Sequence, residues 1–279
     1  MTSLDRRKSI LLTLTALLIA AFSLGPVLWQ VLTSVKVNAD ITAVPNVYIP
    51  RQFTASHYQE LFNQRPFLSY IINSAVVAFC STGLCLILGT PAAYALSRFK
   101  LWGGQVLLAG VLIVTLFPYV LLFLGLLELV QFLGLGNNYL SLIIPYTAIN
   151  LPLTILVMRS FFQQFPKDLE DAAKVDGYSI TQTLTQIVLP ITTPALVTTG
   201  ILAFIFSWNE FIFALTFISA ERMKTLPVAV AQIGGASAFE IPYGPLAAAT
   251  VIGTLPLVLL VFFFQRRIVQ GLTAGAVKG

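Results

Sequence analysis

The groups in this 279-residue chain that could do chemistry are few and far apart. Phe206-Ser207-Trp208-Asn209-Glu210-Phe211 sets an aromatic face, an amide and a carboxylate side by side in an apolar stretch. Such groups suit stacking on, and hydrogen bonding to, a hydroxyl-rich ligand. A carboxylate at the centre of a lipid-facing helix costs about 2.5 to 3.5 kcal/mol on insertion scales, so Glu210 and the other in-span acid, Glu128, are expected to face protein or water. Three uses stand for Glu210: lining a passage, bonding together with Asn209 to a second subunit, or sitting at an outer interface. Glu128, close to the Gly134-Leu135-Gly136-Asn137-Asn138 turn, is expected at the outer surface. His57 reads as an ordinary loop residue. Cys80 and Cys85 stand about 140° apart around a helix axis and read as small hydrophobes. No Ser/His or His/Asp/Glu constellation falls within the apolar stretches, which speaks against an enzyme, and two isolated glutamates make a poor ion relay. No Gly-x4-Gly-Lys-Ser/Thr occurs, so the usual phosphate-cradling loop is missing.

The densest charge lies between Met158 and Pro194 and predicts two short amphipathic helices between membrane spans. In the first, Leu169, Ala172 and Ala173 share a narrow face, with Glu170, Asp171 and Lys174 on the other sides. Gly177 suits a left-handed helix end, and Ser179 with Gln182 forms a capping-box pattern that restarts the helix in a new direction. Ile180, Leu184, Ile187 and Val188 then give the second helix its own apolar face, and Pro190 and Pro194 mark bends. The product is an elbow. A small apolar face with acidic flanks suits docking into a basic-rimmed groove. Residues 167–176 carry Lys167 and Lys174 against Asp168, Glu170, Asp171 and Asp176, unlike the basic helices that rest on lipid headgroups.

The elements that position these groups follow from composition. At 57% hydrophobic and 10% charged, the chain belongs in a bilayer. Ser9 to Val35 and Pro66 to Ser97 contain no charge, and each exceeds the roughly 20 residues that a spanning helix needs. The apolar stretches predict six spans, near 10–35, 67–97, 102–128, 139–160, 195–220 and 246–266, in a single all-α domain covering 1–279. Gly89, Thr90, Pro91, Ala92 and Ala93 are small enough for close helix packing. With six spans, Arg6, Arg7, Lys8, Arg98, Lys100, Arg159, Lys167, Lys174, Arg266, Arg267 and Lys278 share a side with the termini, and Lys36, Arg51, Arg65, Arg222 and Lys224 lie opposite. The excess places the termini and the elbow in the cytoplasm. The net charge of +5 is thus an orientation signal, spread over short loops, and not a nucleic-acid footprint. The first apolar run is too long for a secretory signal core and reads as a retained anchor.

Asp171-Ala172-Ala173, then Gly177, then Ile187-x-Leu189-Pro190 resembles the EAA loop of binding-protein-dependent ABC importer permeases. Asp171 stands where that family normally has Glu, with Glu170 just before it. Tyr58-Gln59-Glu60-Leu61-Phe62, Tyr70-Ile71-Ile72-Asn73-Ser74, Trp208-Asn209-Glu210-Phe211 and the Gly271-to-Gly279 ending are similar to the maltose and oligosaccharide branch. The resemblance implies an all-α polytopic membrane protein of type I ABC importer architecture, with a cytoplasmic coupling loop over 161–194. It implies that Glu170, Asp171, Ala172, Ala173, Asp176, Gly177, Ile187, Leu189 and Pro190 couple the chain to an ATPase. Trp208, Asn209 and Glu210 are then candidates for the translocation path. Gln232 to Phe239, with Gly234 and Gly235, is either a loop that touches an external solute-binding protein or a plain connector. The C-terminal tail either runs along the ATPase pair or is free. The implied partners are a second permease subunit in a heterodimer, two ABC ATPase subunits that bind ATP and Mg, the binding protein and membrane lipid, in a bacterial cytoplasmic membrane. The chain itself is expected to hold no cofactor. The expected function is import of a sugar, oligosaccharide or polyol glycoside by alternating access, and the competing reading is a self-powered carrier or channel for a small polar solute.

Overall fold

A computed structural model describes residues 3–234 and 241–276. Among these the chain is helical apart from turns, loops and one isolated Lys36–Phe53 bridge. Four helices are long and apolar enough to cross a membrane: Arg7–Ser34 within α1 (Ser3–Ser34), α3 (Phe67–Arg98), α6 (Leu140–Gln164), and Tyr243–Gln265 within α12 (Tyr243–Ala276). The short α2 (Ser56–Gln64) precedes α3. Two bent pairs bring the number of candidate spans to as many as six.

One of these pairs falls in the stretch expected to span near 102–128 and bends it. Helix α4 (Gly104–Leu116) stops at Phe117, which is extended at φ −75° and ψ 131°. Pro118 is the cause: it disfavours helical geometry in the residue before it and offers no N–H to continue the ladder. After a 3₁₀ turn the chain resumes as α5 (Phe123–Phe132), the segment Tyr119–Phe132 lying at 93° to α4. Gly134, at φ +65°, supplies the left-handed residue that follows α5. The second pair joins α8 (Ile180–Ile191) to α9 (Thr193–Asn209) at 82°. The expected span over 195–220 is likewise not one helix, because α9 ends at Asn209 and a new helix, α10 (Ile212–Phe217), begins after Glu210 and Phe211.

The chain clusters into two compact units, Met1–Phe67 with Val230–Leu255, and Leu68–Ala229 with Pro256–Gly279. In the first, the segment after α1 folds back under polar control. Lys36 is buried, donates to the Val47 carbonyl at 2.6 Å and holds its ammonium 4.1 Å from the Trp29 ring centre. Ser34 pairs with the Tyr58 hydroxyl at 2.8 Å. His57 is no loop residue: it lies in α2, is buried, and its Nε2 pairs with the Lys36 carbonyl at 2.8 Å. Its sequence neighbours gave no hint of this, since the partner is 21 residues away.

In the second unit, α3 and α6 approach closely at Gly89, where a Cβ would stand 2.6 Å from Thr154 Cγ2. The expected role of the small residues there holds, for Thr90 and Ala93 are buried as well. Asn73 Nδ2 donates to the carbonyls of Arg222 at 2.9 Å and Lys224 at 2.8 Å, and Ser74 Oγ accepts from Leu226 N at 2.8 Å. Tyr70 donates to Glu221. The Tyr70-to-Ser74 motif therefore pins the segment Glu221–Leu226, which leads into α11 (Leu226–Ala231), against the start of α3.

The first unit is expected to be sensitive at Gly244, where a Cβ would stand only 2.3 to 2.6 Å from three atoms of the His57 ring. Gly244→Ala should destabilise it by roughly 1–3 kcal/mol, the usual cost of overpacking. His57→Ala in the same chain should recover part of the loss, as thermal melting in detergent would register.

Candidate functional site

The elbow is built much as its sequence pattern requires. Helix α7 (Lys167–Val175) ends in a Schellman-type turn, with Tyr178 N donating to Ala173 O at 3.0 Å and Gly177 at φ +84°. Ser179 Oγ accepts from Gln182 N at 3.3 Å while Gln182 Oε1 accepts from Ser179 N at 2.9 Å, the reciprocal capping box that opens α8. Within α8, residues Thr183–Val188 take π-helical geometry. The wider turn rotates the faces: Thr183, Leu184 and Val188 are buried, Ile187 and Leu189 half-buried, and Ile180 and Pro190 exposed. Leu184, Val188 and Leu189 join an apolar cluster with Tyr94 of α3 and Met158 and Phe162 of α6. The expected common apolar face of Ile180, Leu184, Ile187 and Val188 is therefore divided, with Ile180 outside the part that packs inward.

The acidic pair divides. Glu170 is not a flank of the docking face: only 4% exposed, it is held from beneath by α3. Arg98 donates through Nε to Oε1 at 2.7 Å and stands with Nη2 2.6 Å from the same oxygen, while Tyr94 Oη donates to Oε2 at 2.9 Å. Arg98 Nη2 also donates to the Phe165 carbonyl at 2.8 Å, at the end of α6. Tyr94 in turn packs edge-on against Phe162. Asp171 points outward and pairs with Lys174 at 2.6 Å, both about two-thirds exposed. That hydrogen bond, and then the charge of Lys174, lowers the Asp171 pKa, so the carboxylate stays ionised at neutral pH. Ala173 is buried while Ala172 and Asp176 are exposed. Leu169, Val175, Tyr178 and Ile180 of the elbow are exposed, Val175 at 88%, and Tyr178 and Ile180 line a cleft of about 210 Å³ with Tyr94, Arg98 and Glu170. Arg98 and Tyr94 are the residues that sequence reasoning missed. Arg98 was visible only as an anchoring charge at the end of a span, 72 residues from its partner.

The second candidate group does not present itself as a set. Trp208 is buried and stacks on Phe204, with centroids 5.7 Å apart. Asn209 is exposed and donates to its own helix at Ile205 O, 2.8 Å away. Glu210 is 5% exposed; it receives the Tyr146 hydroxyl and the backbone N–H groups of Phe213 at 3.0 Å and Ala214 at 3.2 Å. Its carboxylate is spent within the chain. It satisfies orphan donors at the first turn of α10 and ties that turn to α6, which is why the chain can break inside an apolar segment. Glu128 is exposed, at the outward side of α5. In the third group, Gln232 O accepts from Arg65 Nη1 at 3.3 Å and Gly234 lines a cavity of about 30 Å³ with Arg65 and Glu60. Gly235 and Phe239 lie outside the described residues, as do Val277 to Gly279 of the tail. From Gly271 to Ala276 that tail continues α12.

Residues 85–274 match the family described as binding-protein-dependent transport system inner membrane component. The chain belongs to that family. It is a multi-pass membrane component of a binding-protein-dependent transport system. Its relatives include the sulfoquinovosyl glycerol transport system permease protein SmoH of Agrobacterium fabrum, 39% identical over 256 residues, covering 92% of this chain and 89% of that one. The trehalose transport system permease protein SugB of Mycobacterium tuberculosis is 38% identical, covering 94% and 95%. The trehalose/maltose transport system permease protein MalG of Thermococcus litoralis is 39% identical, covering 98% of each. The fold matches a chain of a bacterial ABC transporter involved in import of the acidic polysaccharide alginate, with a TM-score of 0.82, 23% identity and coverage of 95% and 98%.

Because the Arg98–Glu170 pair is buried, truncating one partner strands a charge, which typically costs about 3–5 kcal/mol. Arg98→Ala and Glu170→Ala are each expected to destabilise the elbow strongly. The double change Arg98→Met/Glu170→Leu should cost much less, and chemical denaturation of the three variants checks the order.

Proposed function

We propose that this chain is the permease subunit of an ATP-driven importer for a sugar or a related glycoside, and that the elbow α7–α8 is the part that receives work from a separate ATPase. The observation that carries this reading is the two-sided construction of the elbow. Its inner side is fastened to α3 and α6 by a buried ion pair and an apolar cluster. Away from that fastening, Leu169 and Val175 of α7 are exposed together with the ionised Asp171, and Ile180 is exposed at the edge of a cleft of about 210 Å³ that it shares with Arg98 and Glu170. A surface that is apolar at its centre and charged at its rim is what a protein partner requires.

In this mechanism two ATPase subunits bind ATP and Mg, and one of them cups the elbow. When they close, the push on α7 passes through Glu170 to Arg98 and so to the end of α3, and through Leu184 and Val188 to α6. The spans then tilt between two states, each favoured by a different combination of nucleotide and loaded external binding protein. The second permease subunit forms the other half of the passage as a heterodimer partner. The termini and elbow lie in the cytoplasm, in keeping with the distribution of Lys and Arg. The sugar class is supported by the transport systems named for the relatives, whose cargoes are trehalose, maltose and sulfoquinovosyl glycerol. Trp208 and Glu210 are buried within the chain, so Asn209, exposed although its Nδ2 donates to Ile205 O, is the member of that motif placed to face a passage.

Val175→Asp, at a position 88% exposed, should leave the fold intact while abolishing co-purification of the ATPase and sugar-stimulated ATP hydrolysis in proteoliposomes. Normal uptake of labelled trehalose or maltose by vesicles that contain no ATPase would overturn the energy assignment and favour a self-powered carrier.

A further inference from the structure

Helices α3 and α6 are tied to each other at intervals along their whole length. Tyr139, the residue before α6, donates to Asn73 Oδ1 at 2.7 Å. Cys85 Sγ donates to Thr147 O at 3.3 Å, and the close contact of Gly89 with Thr154 follows one turn later. Nearer the elbow, Arg159 Nε donates to Leu96 O at 3.4 Å and Arg98 Nη2 to Phe165 O at 2.8 Å. The partners in these four hydrogen bonds are 62 to 67 positions apart. A separation that stays nearly constant while the position along α3 advances means that the two helices run parallel in one register.

The two arginines close the pair at the elbow end. The last carbonyls of a helix have no partner within it and carry the negative end of its dipole. Arg159 of α6 meets that need in α3, and Arg98 of α3 meets it at the end of α6, so each helix is capped by the other's cation. At the far end Asn73 spends its whole amide, with Oδ1 taken by Tyr139 and Nδ2 given to the carbonyls of Arg222 and Lys224. The pair therefore holds the elbow at one end and the segment Glu221–Leu226 at the other, across the 32 residues of α3, about 48 Å of helix. Helix α4 makes a contrast. It too lies against α6, but none of its residues is buried and no hydrogen bond joins the two among the described residues. Apolar faces can slide. A slide of α3 along α6 by one turn, about 5.4 Å, would break all four bonds at once.

We propose that α3 and α6 act as a single strut, with Arg159 and Tyr139 as positioning residues that fasten its two ends, so that displacement of the elbow is delivered to the segment Glu221–Leu226. The inference rests on the reading that an ATPase drives the elbow. It adds a second point of entry: by linkage, a partner that grips Glu221–Leu226 is felt at the elbow with the same coupling.

The test uses the complete transporter in nanodiscs, with partner subunits free of cysteine and with Cys80→Ala and Cys85→Ser in this chain, serine keeping a donor toward Thr147 O. Spin labels on cysteines introduced at Gln163, beside the elbow, and at Arg222, both exposed, report the strut. A second pair, Gln163 with a site on the second permease subunit, reports the driven motion. Distances are measured without nucleotide and after trapping with ATP, Mg and vanadate. The expected result is a Gln163–Arg222 distance that holds while the intersubunit distance shifts. Arg159→Met and Tyr139→Phe each remove one donor and keep the shape of the side chain. Either should split or widen the Gln163–Arg222 distribution in the trapped state alone, whereas Arg159→Lys, which retains a donor, should keep it narrow. A strut distance that shifts along with the intersubunit one, or variants that stay as narrow as the unmodified chain, would overturn the proposal. Widening that is equal with and without nucleotide and comes with a lowered melting temperature would also overturn it, leaving these residues a structural role only. An intersubunit distance that does not shift on trapping would overturn the coupling reading itself, and the strut with it.

Discussion

A carboxylate close to a membrane is costly to bury, and Glu170 is buried because Arg98, Tyr94 and the geometry of two helix ends combine to receive it. Arg98 serves the carboxylate and the Phe165 carbonyl at once, so a single guanidinium joins the end of α3, the end of α6 and the first turn of α7. An apolar contact could hold these elements together, but it would let them slide. A planar cation against a fixed carboxylate has directional preference, so displacement of α7 is resisted along the bond and handed on to α3. The pair need not add net stability to matter in this way, since buried ion pairs often do little better than apolar replacements.

The same trade recurs within the apolar segments. The chain breaks α9 at Glu210 and turns that break into structure, the carboxylate capping α10 and receiving Tyr146 from α6. Ser81 and Ser207 pair at 2.9 Å between α3 and α9, and Thr147 accompanies them from α6. Where lipid offers nothing to a polar group, such pairings are the alternatives to leaving it unmet, and they set which helix faces meet. Close approach at Gly89 and Gly200 completes the packing, with a Cβ at Gly200 standing 3.1 Å from Leu86.

Much of this was legible in the residues. The turn at Gly177, the capping box at Ser179 and the close helix contact at Gly89 follow from local rules that act within four or five positions, and each stands where the pattern places it. The bend within the stretch expected to span over 102–128 comes at Pro118, whose consequence is also local. The π segment over Thr183–Val188 had no comparable sign, because it answers to the packing of Leu184 and Val188 on α3 and α6. What engages Glu210 in Trp208-Asn209-Glu210 had no local sign for a related reason. Side-chain chemistry suggested a ligand, but whether a carboxylate is free depends on what else arrives, and Tyr146 comes from 64 residues away.

By itself the sequence determined that this chain is helical and membrane-bound, that a charged elbow interrupts its spans, and to which family it belongs. Those properties depend on hydropathy, periodicity and short motifs, which are additive along the chain. Only the tertiary structure decided which of two adjacent acids turns inward, that His57 and Lys36 are interior, and that Glu210 is occupied. Burial and pairing are properties of the space between segments distant in sequence, and in a low-dielectric interior that space sets what a charge does.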